Sequence, residues 1–270
     1  MQSANEFEYR PEHFQQIKAK VYQLAGIKLS DTKDSMVYSR LARRLRALKL
    51  TSFDQYLHYL DSHLQQEQQE FINSLTTNLT SFFREAHHFD YLAQYLKTYP
   101  GEKRIWCAAA STGEEPYSIA MTVAEHYGRF DYPVKIIASD IDSQVLTKAK
   151  QAVYSIDRLE NMSAARLKQF FWRGKGKMQG QARVVPELSN MVEFQTINLL
   201  HEWPHKKPFD IIFCRNVMIY FDRPTQLRLL ERMAKIVKPG AYYFAGHSEN
   251  LAMARHLMLP VGKTVYRFVN

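Results

Sequence analysis

Hydrophobic positions recur at three- and four-residue steps through residues 10–75, as Phe14, Ile17, Val21 and Leu24 and again as Val37, Leu41, Leu45 and Leu48. This spacing lines apolar side chains along one helix face, and few glycines interrupt it, so residues 1–75 are predicted to form a helical domain. From residue 103 the pattern changes to short apolar runs alternating with helical stretches. Residues 105–109 read as a buried strand, 115–127 as a helix stopped by Gly128, and 134–138 as a strand ending in Ser139-Asp140. Asp142 caps a helix that runs to about residue 152. After an interruption the alternation resumes with a buried strand at 209–214 ending in Arg215-Asn216 and a helix capped by Asp222 and ended by Lys238-Pro239-Gly240. Strands at 242–245 and 264–269 follow. Alternation of this kind predicts a parallel sheet with right-handed crossovers.

Two stretches break the pattern. Residues 76–84, Thr-Thr-Asn-Leu-Thr-Ser-Phe-Phe-Arg, form an interdomain linker too rich in specific side chains to be a bland connection. Asn78, Thr80 and Arg84 stand at even spacing, so an extended chain would point all three the same way. The competing reading is a capping segment in which Thr80 or Ser81 starts the next helix. The second break is an insertion at about 155–195 within the domain 85–270. Between residues 161 and 185 lie Arg166, Lys168, Arg173, Lys175, Lys177 and Arg183, with no acidic residue and with Gly174, Gly176 and Gly180 marking turns. Short strands at 182–185 and 191–195 predict a small antiparallel sheet there, either a basic surface hairpin or a contact for an acidic peptide by strand addition.

The length of 270 residues and 46% hydrophobic content support a globular core. A net charge of +9 implies an acidic partner without naming its kind. In the second predicted helix Arg40, Arg43, Arg44 and Arg46 lie away from the apolar stripe, either as a solvated face or as a docking surface for an acidic helix. Cys107 and Cys214 both fall in predicted central strands, which favours buried free thiols and a reducing compartment. No stretch is long and apolar enough to span a membrane, so a cytoplasmic protein is expected, and a monomer, since no apolar helix face demands a partner. The ten histidines are scattered, and His87-His88 on one helix are not expected to face one ion, so no metal is predicted.

Candidate chemistry centres on residues 103–117. The predicted strand ends in small residues that let backbone approach a ligand, and Glu114-Glu115-Pro116 starts a helix. Two carboxylates at a helix N-terminus argue against a triphosphate or pyrophosphate and suit a nucleoside carrying a sulfonium or amine. Asp140 follows Glu115 by 25 residues, at the carboxyl end of the second strand, where an acidic residue accepts hydrogen bonds from ribose hydroxyls. The late strand pair is the pattern of the methyltransferase variant of the doubly wound fold.

Five strings in one order, Asn78-Leu-Thr-Ser-Phe-Phe-Arg84, Ser111-Thr-Gly-Glu-Glu-Pro-Tyr-Ser118, Ala138-Ser-Asp-Ile-Asp142, Cys214-Arg-Asn-Val-Met-Ile-Tyr-Phe221 and Ala245-Gly-His-Ser-Glu-Asn250, resemble the chemotaxis receptor methyltransferases, the CheR family. The resemblance covers nearly the whole chain. It implies an N-terminal all-α domain joined to a Rossmann-like S-adenosylmethionine-dependent methyltransferase domain carrying an inserted β subdomain. The implied activity is transfer of methyl groups from S-adenosylmethionine to glutamate side chains on the cytoplasmic helices of chemoreceptors, giving γ-methyl esters and S-adenosylhomocysteine. Site roles follow from the same resemblance. Asn78, Thr80 and Arg84 would close on the methionine and methyl end of the cofactor, Glu115 would meet its charged amino acid part, and Asp140 its ribose. Asn198 and Leu199 would flank the adenine, Arg215 and Asn216 would form the loop under the methionine, and Tyr220 would stand near the transferring methyl. Arg84 and Tyr220 are thus the implied catalytic residues. The arginine helix would meet the acidic methylation region, and residues 174–180 resemble the type of insertion that binds a receptor's C-terminal tail peptide. Two other readings compete: a silent cofactor-sensing receptor-binding module, and a nucleic-acid methyltransferase. The second lacks its usual signs, because Arg215-Asn216-Val217-Met218 stands where an Asn/Asp-Pro-Pro-aromatic cluster belongs and neither cysteine follows a proline.

Overall fold

The predicted helical periodicity produces a bundle. In the computed structural model, which describes residues 6–269, α1 (Pro11–Ala25), α2 (Asp34–Leu48), α3 (Phe53–Ser62) and α4 (Leu64–Leu75) form the first of two units. This unit runs to residue 77 and also includes Tyr220–Thr225. Phe14, Ile17 and Val21 from α1 and Val37, Leu41 and Leu45 from α2 are buried in one cluster with Phe53, Tyr56 and Phe71. Each such side chain contributes about 1.5–3 kcal/mol on burial. Gly26 ends α1 in a left-handed conformation, with its N–H donating to the Tyr22 carbonyl at 2.8 Å.

The second unit comprises Asn78–Ile219 and the chain from 226 onward. It opens with α5 (His87–Thr98) and then winds β1 (Lys103–Cys107), α6 (Glu114–Tyr127), β2 (Val134–Asp140) and α7 (Ser143–Gln151). The insertion follows as β3 (Val153–Ser155), α8 (Ala164–Phe170), β4 (Phe171–Arg173), β5 (Gln181–Val184) and α9 (Pro186–Ser189). The large sheet is completed by β6 (Val192–Thr196), β7 (Phe209–Phe213), β8 (Val237–Phe244), β9 (Met258–Gly262) and β10 (Val265–Phe268), with α10 (Arg223–Ala234) between β7 and β8. Its strand order is β6-β2-β1-β7-β8-β10-β9. Strands β6 to β8 run parallel, and β10 is antiparallel to both β8 and β9. The order reverses between β1 and β7, so the carboxyl ends of these two strands open the crevice where ligands bind in such sheets.

Four expectations about elements change. Residues 191–195 do not belong to the small sheet: β6 pairs in parallel with β2, while the antiparallel trio is β3-β5-β4. Lys238-Pro239-Gly240 does not end a helix. It lies inside β8, at a register shift against β7 where Gly240 takes φ +71°, and α10 stops earlier at Ala234. The edge strand β9 has no counterpart in the reading above, because Pro260 and a nearly uniform exposed pattern hide it. Finally, α5 begins at His87 with no side-chain cap, so neither Thr80 nor Ser81 starts it.

Candidate active site

The corner after β1 is built by backbone geometry. The N–H groups of Ala108 and Ala110 donate to Phe213 and Ser139 carbonyls, which keeps the chain registered with β7 and β2 past the end of β1. Ser111 then takes φ +48° and Gly113 φ +98°. Glycine is required at 113: a Cβ there would lie 2.8 Å from the Tyr154 hydroxyl and 2.9 Å from Ala149 Cβ. Glu114 and Glu115 open α6 and are both buried.

Asp140, at the end of β2, faces this turn. Its Oδ2 accepts from Ser111 N–H at 2.8 Å and its Oδ1 from Asp142 N–H at 2.9 Å. Burial pushes its pKa up to about 6, aided by the neighbouring Asp142 carboxylate and opposed by the backbone N–H donors. Asp142 caps α7 through Gln144 and Val145 N–H and accepts from Asn78 Nδ2 at 2.8 Å, while the Asn78 carbonyl accepts from Ser111 Oγ at 3.0 Å.

The segment from Asn78 to Glu85 is not uniformly extended. Phe83 and Glu85 take φ +53° and +58°, Phe83 N–H donates to Ser118 Oγ at 2.9 Å, and Arg84 turns back to donate to the Leu79 carbonyl at 3.1 Å. Even spacing therefore does not align Asn78, Thr80 and Arg84. Asn78 is tied to Asp142 and Ser111, Thr80 is half-buried, and Arg84 lies beyond a turn.

Arg215 is the hub. Its side chain is wholly buried after β7, and it donates Nη1 to Glu115 Oε2 and Nη2 to the Arg84 carbonyl, with Glu85 Oε1 at 3.5 Å. Two carboxylates flank one guanidinium, so the cluster keeps a negative excess suited to a cationic group. Burial pushes the Cys107 thiol far up, and it donates to Glu115 Oε1 at 3.3 Å. Asn216 takes φ +56° and packs so closely on Gly246 that a Cβ there would meet its Nδ2 at 2.3 Å. Beyond β6, Asn198 Oδ1 accepts from Leu200 N–H at 3.0 Å, and the carbonyl of buried Leu199 accepts from Trp203 Nε1 and Arg232 Nη1.

Several members of this site carried no role in the sequence reading. Glu85 accepts from His247, Glu249 accepts from the N–H groups of Val217, Met218 and Gly246, and Arg158 pairs with Glu114. Glu249 and His247 were signalled only as part of the string Ala245–Asn250 and Glu114 as one of two carboxylates opening a helix, whereas Glu85 and Arg158 carried no signal. The expectation that His87 and His88 cannot face one point is corrected. One ligand atom from each, with a Glu85 carboxylate oxygen, lies within 4.8 Å of the others, and both rings reach Thr264 Oγ1. They converge because they occupy the first turn of α5 beside the start of β10. No ion is assigned there, since Arg215 already sits 3.5 Å from that carboxylate.

The remaining candidates lie in the first unit. Tyr220 ends a 3-10 turn at Met218–Tyr220, and its carbonyl accepts from Lys28 N–H at 2.9 Å. Of the arginines on α2, Arg44 forks onto buried Glu67, Arg40 donates to the Ser74 and Thr76 carbonyls, and Arg46 pairs with Glu6. Arg43 is exposed, and among the described residues no acidic side chain pairs with it. The uniform arginine face is thereby narrowed, because Arg44 serves the bundle interior.

The reversal of the sheet, the acidic turn after β1 and the buried carboxylate at the end of β2 define the class as S-adenosylmethionine-dependent methyltransferase. The chain belongs to the CheR methyltransferase family: residues 78–266 match its SAM binding domain and residues 12–76 its all-alpha domain. It is 56% identical over 265 residues to chemotaxis protein methyltransferase 2 of Pseudomonas aeruginosa, covering 97% of this chain and 94% of that one. To the chemotaxis protein methyltransferase of Escherichia coli it is 51% identical over 256 residues, covering 94% and 90%, and to that of Salmonella typhimurium 51% over 257 residues, covering 94% and 89%. No helix among the described residues is long and apolar enough to cross a membrane.

Proposed function

We propose that the protein methylates glutamate carboxylates on the cytoplasmic helices of chemoreceptors. The observation that carries this reading is the pairing of Glu85 and Glu115 with buried Arg215, beside a buried Asp140 at the end of β2, within a chain matched by the family along both its domains. S-adenosylmethionine supplies, when bound, a sulfonium methyl already activated for transfer. The donor set fits it: Glu115 offers a carboxylate to an ammonium group, and Asp140, held by backbone N–H groups that include those of Ser111 and Asp142, retains lone pairs for ribose hydroxyls. Asn198, Leu199 and Asn216 are assigned to the adenine and methionine ends as the resemblance implies, with Asn78 and Thr80 closing the methyl end.

A glutamate carboxylate is an anion at neutral pH, so no general base is required. The chain's own contribution is placement and exclusion of water around the nucleophile. Arg84 and Tyr220 are assigned the orienting roles. The carboxylate oxygen would take up the methyl that the bound cofactor supplies, and no residue of the chain would have to accept or release a proton.

For the receptor, Arg43 and the outer face of α2 are assigned the acidic methylation region. A tail-peptide contact is supported by the insertion, where Trp172, 56% exposed, stands opposite Arg183 beside exposed Arg173, Lys175 and Lys177. The deciding experiment is transfer of labelled methyl to chemoreceptor-containing membranes followed by base. Label released as volatile methanol supports the glutamate ester, base-stable label rejects it, and cofactor binding without transfer supports a silent binding module instead.

A further inference from the structure

The small sheet and the cofactor corner share a set of contacts that the proposed mechanism does not use. Thr112, in the turn after β1, is gripped twice from the insertion. Its carbonyl accepts from the Tyr154 hydroxyl in β3 at 2.8 Å, and its Oγ1 accepts from Arg158 Nη1, in the 3-10 turn Ile156–Leu159, at 3.3 Å. The same Arg158 nitrogen bonds Glu114 Oε1, and Thr112 Oγ1 donates to Glu114 Oε2 at 2.6 Å. Glu114 is fully buried, yet Arg158 is 45% exposed. The charge that makes the carboxylate tolerable is therefore delivered from the insertion, since a buried carboxylate without a partner is strongly disfavoured. The Tyr154 hydroxyl also fills the space beside Gly113 that a Cβ would occupy. On its other side the Tyr154 ring packs edge-on against Phe82, at 4.9 Å between centroids, next to Phe83 whose N–H is fixed to Ser118. Both walls of the corner, the turn at 111–113 and the segment at 82–83, thus rest on the inserted sheet.

We infer that Arg158 and Tyr154 are positioning residues for the cofactor: through Glu114 and Thr112 they hold the turn after β1 in its binding shape, and the inserted sheet is part of the cofactor site's support. The inference rests on the reading that this turn binds S-adenosylmethionine. Neither side chain need touch the ligand. Losing Arg158 strands Glu114, whose simplest relief is to swing towards water and carry Thr112 with it.

The test measures S-adenosylhomocysteine binding by calorimetry, with KM for S-adenosylmethionine, KM for receptor and kcat from methyl transfer. Arg158→Met is expected to weaken product binding by about ten- to a hundredfold, the scale of an uncompensated buried charge, and to raise KM for S-adenosylmethionine alone. Arg158→Lys, which keeps the charge, should stay within a few-fold of the parent. Adding Glu114→Gln to Arg158→Met removes the stranded charge and should recover much of the affinity, which general loss of structure would not. Tyr154→Phe, which deletes only a hydroxyl, should weaken binding several-fold and decides the matter if Arg158→Met does not fold. Unchanged affinity in both Arg158→Met and Tyr154→Phe, or no recovery with Glu114→Gln, overturns the inference. Glu115→Gln and Asp140→Ala separate the two levels. If they weaken binding while the positioning variants do not, only this inference falls; if none of the variants weakens binding, the turn is not the cofactor site and both fall.

Discussion

Asp140 is under two opposed demands, and the opposition can be measured. Burial raises its pKa from the ordinary 3.8 to about 6. Between those values the folded protein holds a proton that the unfolded chain has released. Stability from this group is therefore fully present below about pH 4 and is lost as pH rises through 6. The gap between the two values corresponds to about 3 kcal/mol, a sizeable part of a typical folding free energy. Cofactor binding has the opposite sign, because only the ionised carboxylate can serve Ser111 and Asp142 N–H and still accept from ribose hydroxyls. Urea unfolding of the parent and Asp140→Asn from pH 4.5 to 8 isolates the group: the difference in stability should change by about 2 kcal/mol, with the parent losing ground as pH rises. Over the same range S-adenosylhomocysteine affinity of the parent should fall about tenfold per pH unit below 6. Asp140→Asn should bind more weakly at pH 8, by about 1–3 kcal/mol, and without that slope. A flat stability difference, or a parent affinity unchanged between pH 8 and 5, would refute the reasoning.

Arg43→Glu should weaken receptor methylation at low salt with cofactor affinity and melting temperature unchanged, whereas Arg44→Ala should destabilise the helical unit by about 3 kcal/mol by stranding Glu67, whose side chain is 2% exposed. Thermal melts beside methylation assays separate the two, and an unaltered melting temperature for Arg44→Ala contradicts the role given to that pair. Gly113→Ala, forced against Tyr154 and Ala149 at φ +98°, should lose cofactor binding by calorimetry and melt several degrees lower. Burial raises both cysteine thiols strongly, so neither Cys107 nor Cys214 should react with an aromatic disulfide reagent until the protein unfolds. Rapid labelling of native protein would contradict their placement.

What the sequence disclosed of the fold was whatever local pattern controls. The strand, turn and helix from Ile105 to Glu115 were legible because an apolar run gives way to small residues and then to a proline in a first helical turn. Asp142 as a cap and Gly128 as a stop were legible for the same reason. Strand pairing was not. Residues 192–196 read as one more short strand near a glycine-rich stretch, and nothing in their own composition says that β2, not β5, is the neighbour. Lys238-Pro239-Gly240 reads as a helix stop because proline and glycine usually punctuate, yet a bulge on a sheet strand tolerates the same residues.

The site divided along the same line. Asp140, Glu115 and Arg215 could be found from position at strand ends, since a parallel sheet delivers those ends to one edge whatever the loops do. Several of their partners could not, because these come from elements distant in sequence: Arg215 lies 100 residues from Glu115, Arg158 44 from Glu114, and Glu85 beyond a left-handed turn. Periodicity places a side chain on a face but does not say whether that face meets water or a buried carboxylate. The arginines of α2 show the consequence. Four residues that look equivalent on a helical projection divide into inward-facing Arg44, capping Arg40, Glu6-bound Arg46 and exposed Arg43. A charge-reversal experiment that treats them as one surface would mix folding with recognition, and Arg43 is the position at which the two can be told apart.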